Sequence, residues 1–568
     1  MRETLISFEN YTFQYRSQAE PTIHDINLQI HKGERVIIVG PSGCGKSTLA
    51  HCLNGLNPFS YPGKSTGTLT ICGVEAAQAS IFELSRYVGT VLQDTDGQFI
   101  GMTVLEDIAF SMENDCVAQD EMKRRTKEEA AKVGLLDKLP AAPHELSGGQ
   151  KQRVSMAGVL VNRVPILLFD EPLANLDPAA GREAMELIDD LQKVNGSTVV
   201  IIEHRLEDAM HRNADRIILM EEGRIVSDTT PTALFLSDRL SLAGIREPLY
   251  ITALKYAGVK LTEEIHPERM EDMVLSDAAK AQVCKWFENQ AGPMEKAVPE
   301  QMLSVEELSF GYTEEKENLS EISFTVSQGE MVSIVGKNGA GKSTLAKLLC
   351  GFVTQKNGSI TLKGRDLSED TIKERAGYIG YVMQNPNQMI SKPMIYDEVA
   401  MSLRLKGMSE EEVEKRVFET LKICGLYPFR SWPVSALSYG QKKRVTIASI
   451  LVQEPEMLIL DEPTAGQDFR HYTEIMEFLK ELNESGITVL MITHDMHLML
   501  EYTERSLVFA DGRMIADTTP ARLFSDPELL KRASLKVTSL YELALRCGLD
   551  PEAYIEKFIQ YDRQVRNE

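Results

Sequence analysis

The sequence predicts an α/β protein made of two copies of one domain, each built around a mixed, mainly parallel sheet. Two observations lead to this prediction. A glycine-rich loop follows a short apolar run and leads into a helical pattern at residues 40–48, and a second loop of the same kind lies at 336–344. The motifs that follow the first loop recur after the second at a nearly constant offset of about 290 residues, as expected for a duplicated domain.

Length, composition and charge describe a multidomain globular protein. At 568 residues the chain exceeds the size at which a single hydrophobic core stops growing. A net charge of −23 argues against nucleic acid as the main partner, because nucleic-acid binding depends on clustered Lys and Arg. The chain has no apolar run of the about 18 residues that a membrane span needs, and its start lacks a signal-peptide core, so we expect a cytoplasmic location. The eight cysteines include no C-x-x-C pair, which argues against a zinc site or a disulfide framework.

Both glycine-rich loops have the form G-x4-G-K-[ST] of the phosphate-binding P-loop. Glycines let backbone N–H groups surround a phosphate, and the following helix adds the positive end of its dipole. We expect Lys46 and Lys342 to reach the outer phosphates of a nucleoside triphosphate, while Ser47 and Ser343 ligate Mg²⁺. The predicted nucleotide-binding residues of the two loops are Gly40, Gly43, Gly45, Lys46, Ser47, Thr48, Gly336, Gly339, Gly341, Lys342, Ser343 and Thr344.

Two residue types flank each P-loop in the sequence. Tyr15 and Tyr312 lie in alternating β-type sequence ahead of the loops, where each could stack on a nucleotide base or pack into the core, and the spacing does not separate these alternatives. Gln93 and Gln384 end the next predicted strand in each copy. An amide at this place could help to hold Mg²⁺ or the attacking water, although a structural role is the default for a loop glutamine.

Further along the first copy, a polar helical stretch at 106–138 precedes Leu146-Ser147-Gly148-Gly149-Gln150, which predicts a second anion-binding helix N-terminus. Asp170 follows the apolar run 165–169, and a carboxylate at the carboxyl end of a parallel strand is suited to hold Mg²⁺ against a P-loop phosphate. His204 follows the last apolar run, 198–202, and we expect it to be functional. Because parallel strands end at one edge of the sheet, these residues should meet there.

With these motifs in this order, the sequence resembles the ABC-type ATPases over residues 3–230 and 302–520. The resemblance implies that each domain also has a helical subdomain and that two domains close face to face, with ATP between one P-loop and the other domain's LSGGQ helix. One site would join Lys46, Ser47, Gln93, Asp170, Glu171 and His204 to Ser438, Tyr439, Gly440 and Gln441. The other would join Lys342, Ser343, Gln384, Asp461, Glu462 and His494 to Ser147, Gly148, Gly149 and Gln150.

The resemblance also implies roles for these residues. Asp170 and Asp461 would hold Mg²⁺ together with the P-loop serine and the loop glutamine, and the glutamate after each aspartate would polarise the attacking water. His204 and His494 would contact the γ-phosphate. Since one chain supplies both halves, pairing of the domains would be intramolecular.

Finer features are similar to the fused tandem ATPases of energy-coupling-factor (ECF) transporters. They are the double-glutamine loops at 93–98 and 384–388, Glu203-His204-Arg205, and the signature Leu437-Ser438-Tyr439-Gly440-Gln441. This resemblance implies a peripheral location at the cytoplasmic membrane face, a membrane T component, and a separate S component that binds a vitamin or a metal ion such as cobalt. We interpret residues 99–102 and 389–391 as candidate contacts for the T component, or else as a local hydrophobic patch.

Some positions depart from the family pattern. Tyr439 replaces the first glycine of the second signature, Leu173 stands where the second copy has Thr464, and the segment 174–177 differs from 465–468. We therefore predict two hydrolysis-competent but unequal sites. The predicted domains are 1–230 and 301–520 for the two ATPase copies, 231–300 for a helical appendage and linker, and 521–568 for a C-terminal helical appendage.

Two other functions fit a duplicated ABC ATPase. Tandem ABC proteins that act on the ribosome carry a basic linker, whereas residues 241–300 contain more Asp and Glu than Lys and Arg. Glu203-His204-Arg205 and the double-glutamine loops count against the duplicated ATPase of a sugar importer.

Overall fold

The computed structural model describes residues 2–93, 96–174, 176–290, 300–314, 316–465 and 467–567. Some positions named above lie outside the described residues. They are Asp94, Thr95, Asn175, Gly466 and residues 291–299 near the end of the predicted linker. The chain folds as two compact units, Met1–Trp286 and Phe287–Glu568. The boundary between them falls within the predicted appendage and linker, and the domain limits within each unit stay predictions.

The first unit contains two sheets. A four-stranded antiparallel sheet has the order β2-β1-β4-β5, and a six-stranded sheet has the order β10-β9-β3-β8-β7-β6. Of the described strands in the larger sheet, β10 alone pairs in the antiparallel sense, so the sheet is mixed and mainly parallel. The strands are β1 (Thr4–Tyr15), β2 (Ile23–His31), β3 (Arg35–Val39), β4 (Gly63–Ile71), β5 (Val74–Glu75), β6 (Val88–Val91), β7 (Ile166–Asp170), β8 (Thr198–Ile202), β9 (Arg216–Glu221) and β10 (Arg224–Thr229).

Helices cover the larger sheet and form the rest of this unit. The stretch predicted as helical at 106–138 is two α-helices, α4 and α5, followed by a short 3-10 turn. The helices are α1 (Lys46–Leu53), α2 (Leu56–Phe59), α3 (Ile81–Leu84), α4 (Val104–Asn114), α5 (Gln119–Lys132), α6 (Gly148–Leu160), α7 (Pro178–Asn195), α8 (Leu206–Ala209), α9 (Pro231–Phe235), α10 (Arg239–Leu242), α11 (Leu249–Tyr256) and α12 (Asp277–Asn289), the last of which contains the boundary between the units.

The position of the P-loop follows from the central strands. All five residues of β3, of β7 and of β8 are buried, as expected for parallel strands covered on both faces, which explains the apolar runs 36–39, 166–169 and 199–202. β3 lies between β9 and β8, and β7 lies next to β8. The P-loop, Asp170 and His204 are therefore found at the ends of three neighbouring strands, β3, β7 and β8, at one edge of the sheet.

The second unit repeats this arrangement. Its antiparallel sheet has the order β12-β11-β14-β15, and its mixed sheet has the order β16-β17-β18-β13-β19-β20, in which β20 alone of the described strands is antiparallel. The strands are β11 (Gln301–Phe310), β12 (Leu319–Ser327), β13 (Met331–Gly336), β14 (Asn357–Leu362), β15 (Arg365–Asp366), β16 (Ile379–Val382), β17 (Met457–Asp461), β18 (Thr488–Ile492), β19 (Arg505–Ala510) and β20 (Arg513–Thr518).

The helices of the second unit continue almost to the end of the chain. A core of buried residues joins the helical part of the unit to its larger sheet, so both share one hydrophobic interior. The helices are α13 (Lys342–Leu349), α14 (Ile372–Arg375), α15 (Pro386–Met389), α16 (Ile395–Leu405), α17 (Glu410–Ile423), α18 (Tyr439–Leu451), α19 (Phe469–Glu484), α20 (Met496–Tyr502), α21 (Pro520–Phe524), α22 (Pro527–Arg532), α23 (Ser539–Arg546) and α24 (Pro551–Asn567).

The predicted fold class is confirmed in each unit, with a mainly parallel sheet, a P-loop between its central strand and a helix, and a helical part. Within the described ranges, no helix combines the length and the apolar character that crossing a membrane requires.

Candidate functional site

Backbone carbonyls of the first P-loop bind the side chain of Lys46. α1 begins at Lys46, directly after Gly45, whose φ of 101° lies in the left-handed region that favours glycine. The Lys46 ammonium donates to the carbonyl oxygens of Gly40 at 2.8 Å and Pro41 at 2.9 Å. The lysine is buried, so its charge is held within the loop, close to where phosphate oxygens would bind.

Asp170 lies at the carboxyl end of β7 with one oxygen unpaired. The residue is 8% exposed, and its Oδ1 is buried with no hydrogen-bond partner among the residues that the structure describes. Burial and the neighbouring charge of Glu171 raise the pKa of Asp170 to about 6. A buried, unpaired carboxylate oxygen beside a P-loop is suited to a divalent cation, which would supply the positive charge that the site lacks.

Two predicted residues from neighbouring strand ends, Gln93 and His204, contact Glu171. Gln93 Nε2 donates to Glu171 Oε2 at 2.5 Å, and His204 Nε2 lies 2.8 Å from Glu171 Oε1. Burial alone would raise the pKa of Glu171, but the hydrogen bond with His204 and the charges of His204, Lys46 and Arg205 outweigh burial and hold the pKa below its usual value. The glutamate is therefore ionised and can accept a proton.

The backbone at this glutamate is strained in both units. Glu171 and Glu462 each have φ of 48°, a conformation that costs a non-glycine residue about 1–3 kcal/mol. Each glutamate N–H donates at 2.9 Å to the carbonyl at the end of the neighbouring strand, Ile202 or Ile492. This bond fixes the strained turn that aims the carboxylate at the histidine.

The second unit repeats the lysine contacts and the glutamate–histidine contact of the first, although the histidine nitrogen nearest the glutamate is Nδ1 rather than Nε2. Lys342 Nζ donates to Gly336 O at 2.6 Å and Lys337 O at 3.0 Å, and His494 Nδ1 lies 2.7 Å from Glu462 Oε1. Burial raises the pKa of Asp461, opposed by hydrogen bonds from Ser343 and Tyr381. The Tyr381 hydroxyl donates to Asp461 Oδ2 at 3.0 Å, whereas Thr90 occupies the matching place on β6 of the first unit.

Each signature sequence forms a capped helix N-terminus. In the first unit Ser147 Oγ accepts from the Gln150 N–H at 3.4 Å, and Gln150 Oε1 accepts from the Ser147 N–H at 3.0 Å. Ser438 and Gln441 make the same pair of bonds at 3.3 and 3.0 Å. This capping box stabilises the first turns of α6 and α18 and leaves the positive end of each helix dipole at the signature sequence.

The two tyrosines lie beside the P-loop helices. The Tyr15 hydroxyl donates to Thr48 Oγ1 at 3.1 Å and accepts from Asn57 Nδ2 at 3.3 Å. The Tyr312 hydroxyl lies 3.5 Å from Thr344 Oγ1, and the residue is 53% exposed. Both threonine hydroxyls are thus engaged by the tyrosines, and stacking on a base stays a prediction.

Both units match a known protein family. A family model described as ABC transporter matches residues 23–174 and 319–465, which together make up more than half of the chain. The chain belongs to the ABC transporter ATP-binding family. A second model, described as ATP-binding cassette cobalt transporter, matches residues 237–310.

Full-length relatives of this tandem ABC ATPase exist in several bacteria. It is 57% identical over 568 residues to an ABC transporter ATP-binding protein of Enterococcus faecalis, with 100% of both chains covered. It is 54% identical over 567 residues to a protein of the same description from Clostridium perfringens, again with 100% of both covered. The solved structure of cbiO1 from Clostridium perfringens, described as part of the ABC transporter complex cbiONQ, is 35% identical, covers 42% of this chain and 96% of that chain, and has a TM-score of 0.38. Membership in this family makes the chain an ATPase coupled to transport.

The predicted partner-contact segments differ between the ABC units. Ile100 and Met102 are 64% and 83% exposed in the first unit. In the second unit Met389 and Ile390 are partly buried and pack against the core of the helical part. The alternative of a local hydrophobic patch therefore describes the second segment better.

Sequence reasoning used Glu203 only as a subgroup marker, but the residue positions the histidine. Glu203 is buried, its Oε1 accepts from the His204 N–H at 2.8 Å and the Arg205 N–H at 3.2 Å, and its Oε2 accepts from the Leu173 N–H at 3.2 Å. Burial raises its pKa. A carboxylate at a strand end next to a predicted functional histidine was the signal available in the sequence.

Lys443 was not predicted, and Gln98 was predicted only as part of the double-glutamine loop at 93–98. Lys443 lies on α18, four residues beyond Tyr439, and its ammonium reaches the loop of Gln384. Burial lowers the pKa of Lys443 to about 8, opposed in part by the charges of Asp461 and Glu462. The sequence around Lys443 is polar and basic, which is typical of a solvent-exposed segment, so no sequence pattern indicates this burial.

Proposed function

We propose that this ABC ATPase powers uptake of a vitamin-like micronutrient or a metal ion through separate membrane subunits of an ECF-type transporter. The motifs shared with fused ECF ATPases and the cobalt-transporter match at 237–310 support this proposal. The partners would be a T component that contacts the ATPase at the cytoplasmic membrane face and an S component that binds the substrate.

The observation that carries the ATPase chemistry is the contact of Gln93 and His204 with ionised Glu171 beside unpaired Asp170. Glu171 would accept the proton of the attacking water, and His204 would contact the γ-phosphate. Lys46 would exchange two loop carbonyls for phosphate oxygens, which are stronger partners for an ammonium.

Mg²⁺ fits the donors at both sites. Ser47, Gln93 and Asp170 would hold it at one site, and Ser343, Gln384 and Asp461 at the other. When bound, the ion neutralises charge on the phosphates. The unpaired Asp170 oxygen supports this assignment.

Each site would be completed by the signature helix of the other unit. Ser438 and the first N–H groups of α18 would meet the ATP held by Lys46, and Ser147 with α6 would meet the ATP held by Lys342. Hydrolysis would remove the γ-phosphate that both units contact, so the pair would open.

The transport proposal is tested by purifying the full chain with its partners from membranes in mild detergent and identifying them by mass spectrometry. A small T-type membrane protein with a separate S protein supports the proposal. A two-subunit sugar permease or ribosomes would reject it.

A transport assay tests the role of ATP hydrolysis. When the Glu171→Gln and Glu462→Gln double variant is reconstituted with the recovered membrane subunits, substrate accumulation should be abolished while the complex still assembles.

A further inference from the structure

Lys443 is a fully buried cation outside the predicted catalytic set. The residue is 1% exposed, and its Nζ donates to the carbonyl oxygens of Gln384 at 2.5 Å and Met383 at 3.1 Å. A buried ammonium is costly unless strong acceptors surround it, so these two carbonyls hold it in place and it holds them. The Tyr439 hydroxyl lies 3.4 Å from the same Gln384 oxygen, to which it donates.

The loop after β16 is thus attached to the signature helix. Both Tyr439 and Lys443 belong to the first turns of α18, and both bind the peptide that carries Gln384. Any displacement of α18 must move this peptide or break a charge-assisted hydrogen bond.

The first unit anchors the corresponding loop in a different way. Gln98, from within the loop, accepts from the Leu92 N–H at 3.3 Å and donates to the Thr90 carbonyl at 3.0 Å. Gln152, which matches Lys443 in sequence, is buried and donates to the Pro172 carbonyl, next to Glu171. The signature helix of the first unit is therefore bonded to the loop after β7, and that of the second unit to the loop after β16.

We propose that Lys443 is a positioning residue that links α18 to Gln384. Through Lys443 and Tyr439, α18 and the loop of Gln384 move together. On the proposed assignment α18 belongs to the Lys46 site, whereas Gln384 belongs to the Lys342 site. The nucleotide bound by Lys46, which would contact α18, then controls where Gln384 lies in the Lys342 site. In the first unit, Gln152 instead links α6 to the loop of Glu171. The two units therefore connect the signature helix to different loops of the ATP site. The inference rests on the proposed assignment of Gln384 and α18 to the two ATP sites.

The link itself is tested by hydrogen–deuterium exchange of the full chain without nucleotide. Lys443→Gln, which introduces the residue of the first unit, should speed exchange of the amides at 383–390 by about tenfold, because the loop loses its buried charged donor. Lys442→Gln, a change of the neighbouring lysine on the same helix, should leave exchange at 383–390 unchanged. Unchanged exchange in Lys443→Gln, or an equal increase in both variants, would overturn the proposal.

The effect on the ATP sites is tested in two backgrounds. With Glu171→Gln, the remaining turnover reports the Lys342 site, and Lys443→Gln should raise the Mg²⁺ concentration for half-maximal rate by about threefold or more while the thermal midpoint stays within a few degrees. With Glu462→Gln, which leaves the Lys46 site, the same change should leave Mg²⁺ dependence unaltered. Equal losses in both backgrounds would indicate general destabilisation and reject the positioning role. If neither glutamate variant lowers hydrolysis, the site assignment fails, and the exchange experiment still decides whether the link exists.

Discussion

Asp170 lies where burial and the neighbouring charge of Glu171 disfavour its ionised form. Its raised pKa means that the folded chain holds the Asp170 proton more tightly than the unfolded chain does. Its contribution to the free energy of unfolding therefore falls as pH rises from about 4 to about 6 and stays low above that range. If Asp170 holds Mg²⁺ as proposed, this loss of stability accompanies the ability to bind the ion.

We expect Asp170→Asn to stabilise the metal-free protein at pH 7.5 by an amount on the order of 2 kcal/mol, because it removes a buried charge without changing shape. Urea unfolding in EDTA at pH 4.5 and 7.5 measures this, and the gain should be smaller at pH 4.5. Asp189→Asn is the matched control, since Asp189 lies 2.7 Å from the Arg35 guanidinium and its loss should destabilise. A lower unfolding free energy for Asp170→Asn at pH 7.5 would contradict the prediction.

The two glutamates allow the sites to be measured separately. Glu171→Gln and Glu462→Gln should each lower single-turnover hydrolysis at their own site by about 10²-fold or more, since each removes the proton acceptor. The remaining rates should differ, because Tyr439 lies in the signature predicted for the Lys46 site and Tyr381 binds only the aspartate of the Lys342 site. Rapid-quench measurement with labelled ATP gives both rates. Identical rates and affinities in the two variants would show that the sites are equal.

At the scale of elements, strand ends and helix starts were predictable and side-chain anchors were not. Parallel strands end at one edge, so Gln93 and His204 were expected to lie near each other, whereas the place of Glu171 between them came from the family resemblance. The contacts of Lys443 and Gln98 depend on how a helix or a loop packs in three dimensions, which no local pattern encodes. Likewise, the sequence left open whether residues 389–391 contact a partner or form a local hydrophobic patch, and Met389 and Ile390 are partly buried because α15 packs on α18.

The signature helices offer a test that separates capping from catalysis. Ser438 and Ser409 cap α18 and α17 with the same capping box, so Ser438→Ala and Ser409→Ala should each lower stability by about 1 kcal/mol. Ser438→Ala alone should also slow hydrolysis at the Lys46 site, measured in the Glu462→Gln background. Equal hydrolysis rates in the two variants would show that Ser438 serves only as a cap.

At the scale of the whole molecule, duplication places both halves of each proposed site in one chain. The two units share their sheet order and a glutamate–histidine contact, but their loop contacts and signature residues differ. If the two units pair within the chain as proposed, fusion permits this divergence, because each unit then has the same partner at high effective concentration. If the two units were separate chains, each could pair with another copy of itself as well as with the other unit, and all of these pairs would have to function.

Intramolecular pairing can be tested by mixing two inactive variants. Lys46→Ala with Ser147→Arg removes the contributions of the first unit to both sites, and Lys342→Ala with Ser438→Arg removes those of the second unit. If pairing occurs within the chain, each double variant and their equimolar mixture should all be inactive, because an intact first unit never meets an intact second unit. The wild-type rate per molecule should also be constant from nanomolar to micromolar protein, measured by phosphate release. Recovery of activity on mixing would show that units of different chains pair, since only such pairs combine two intact halves.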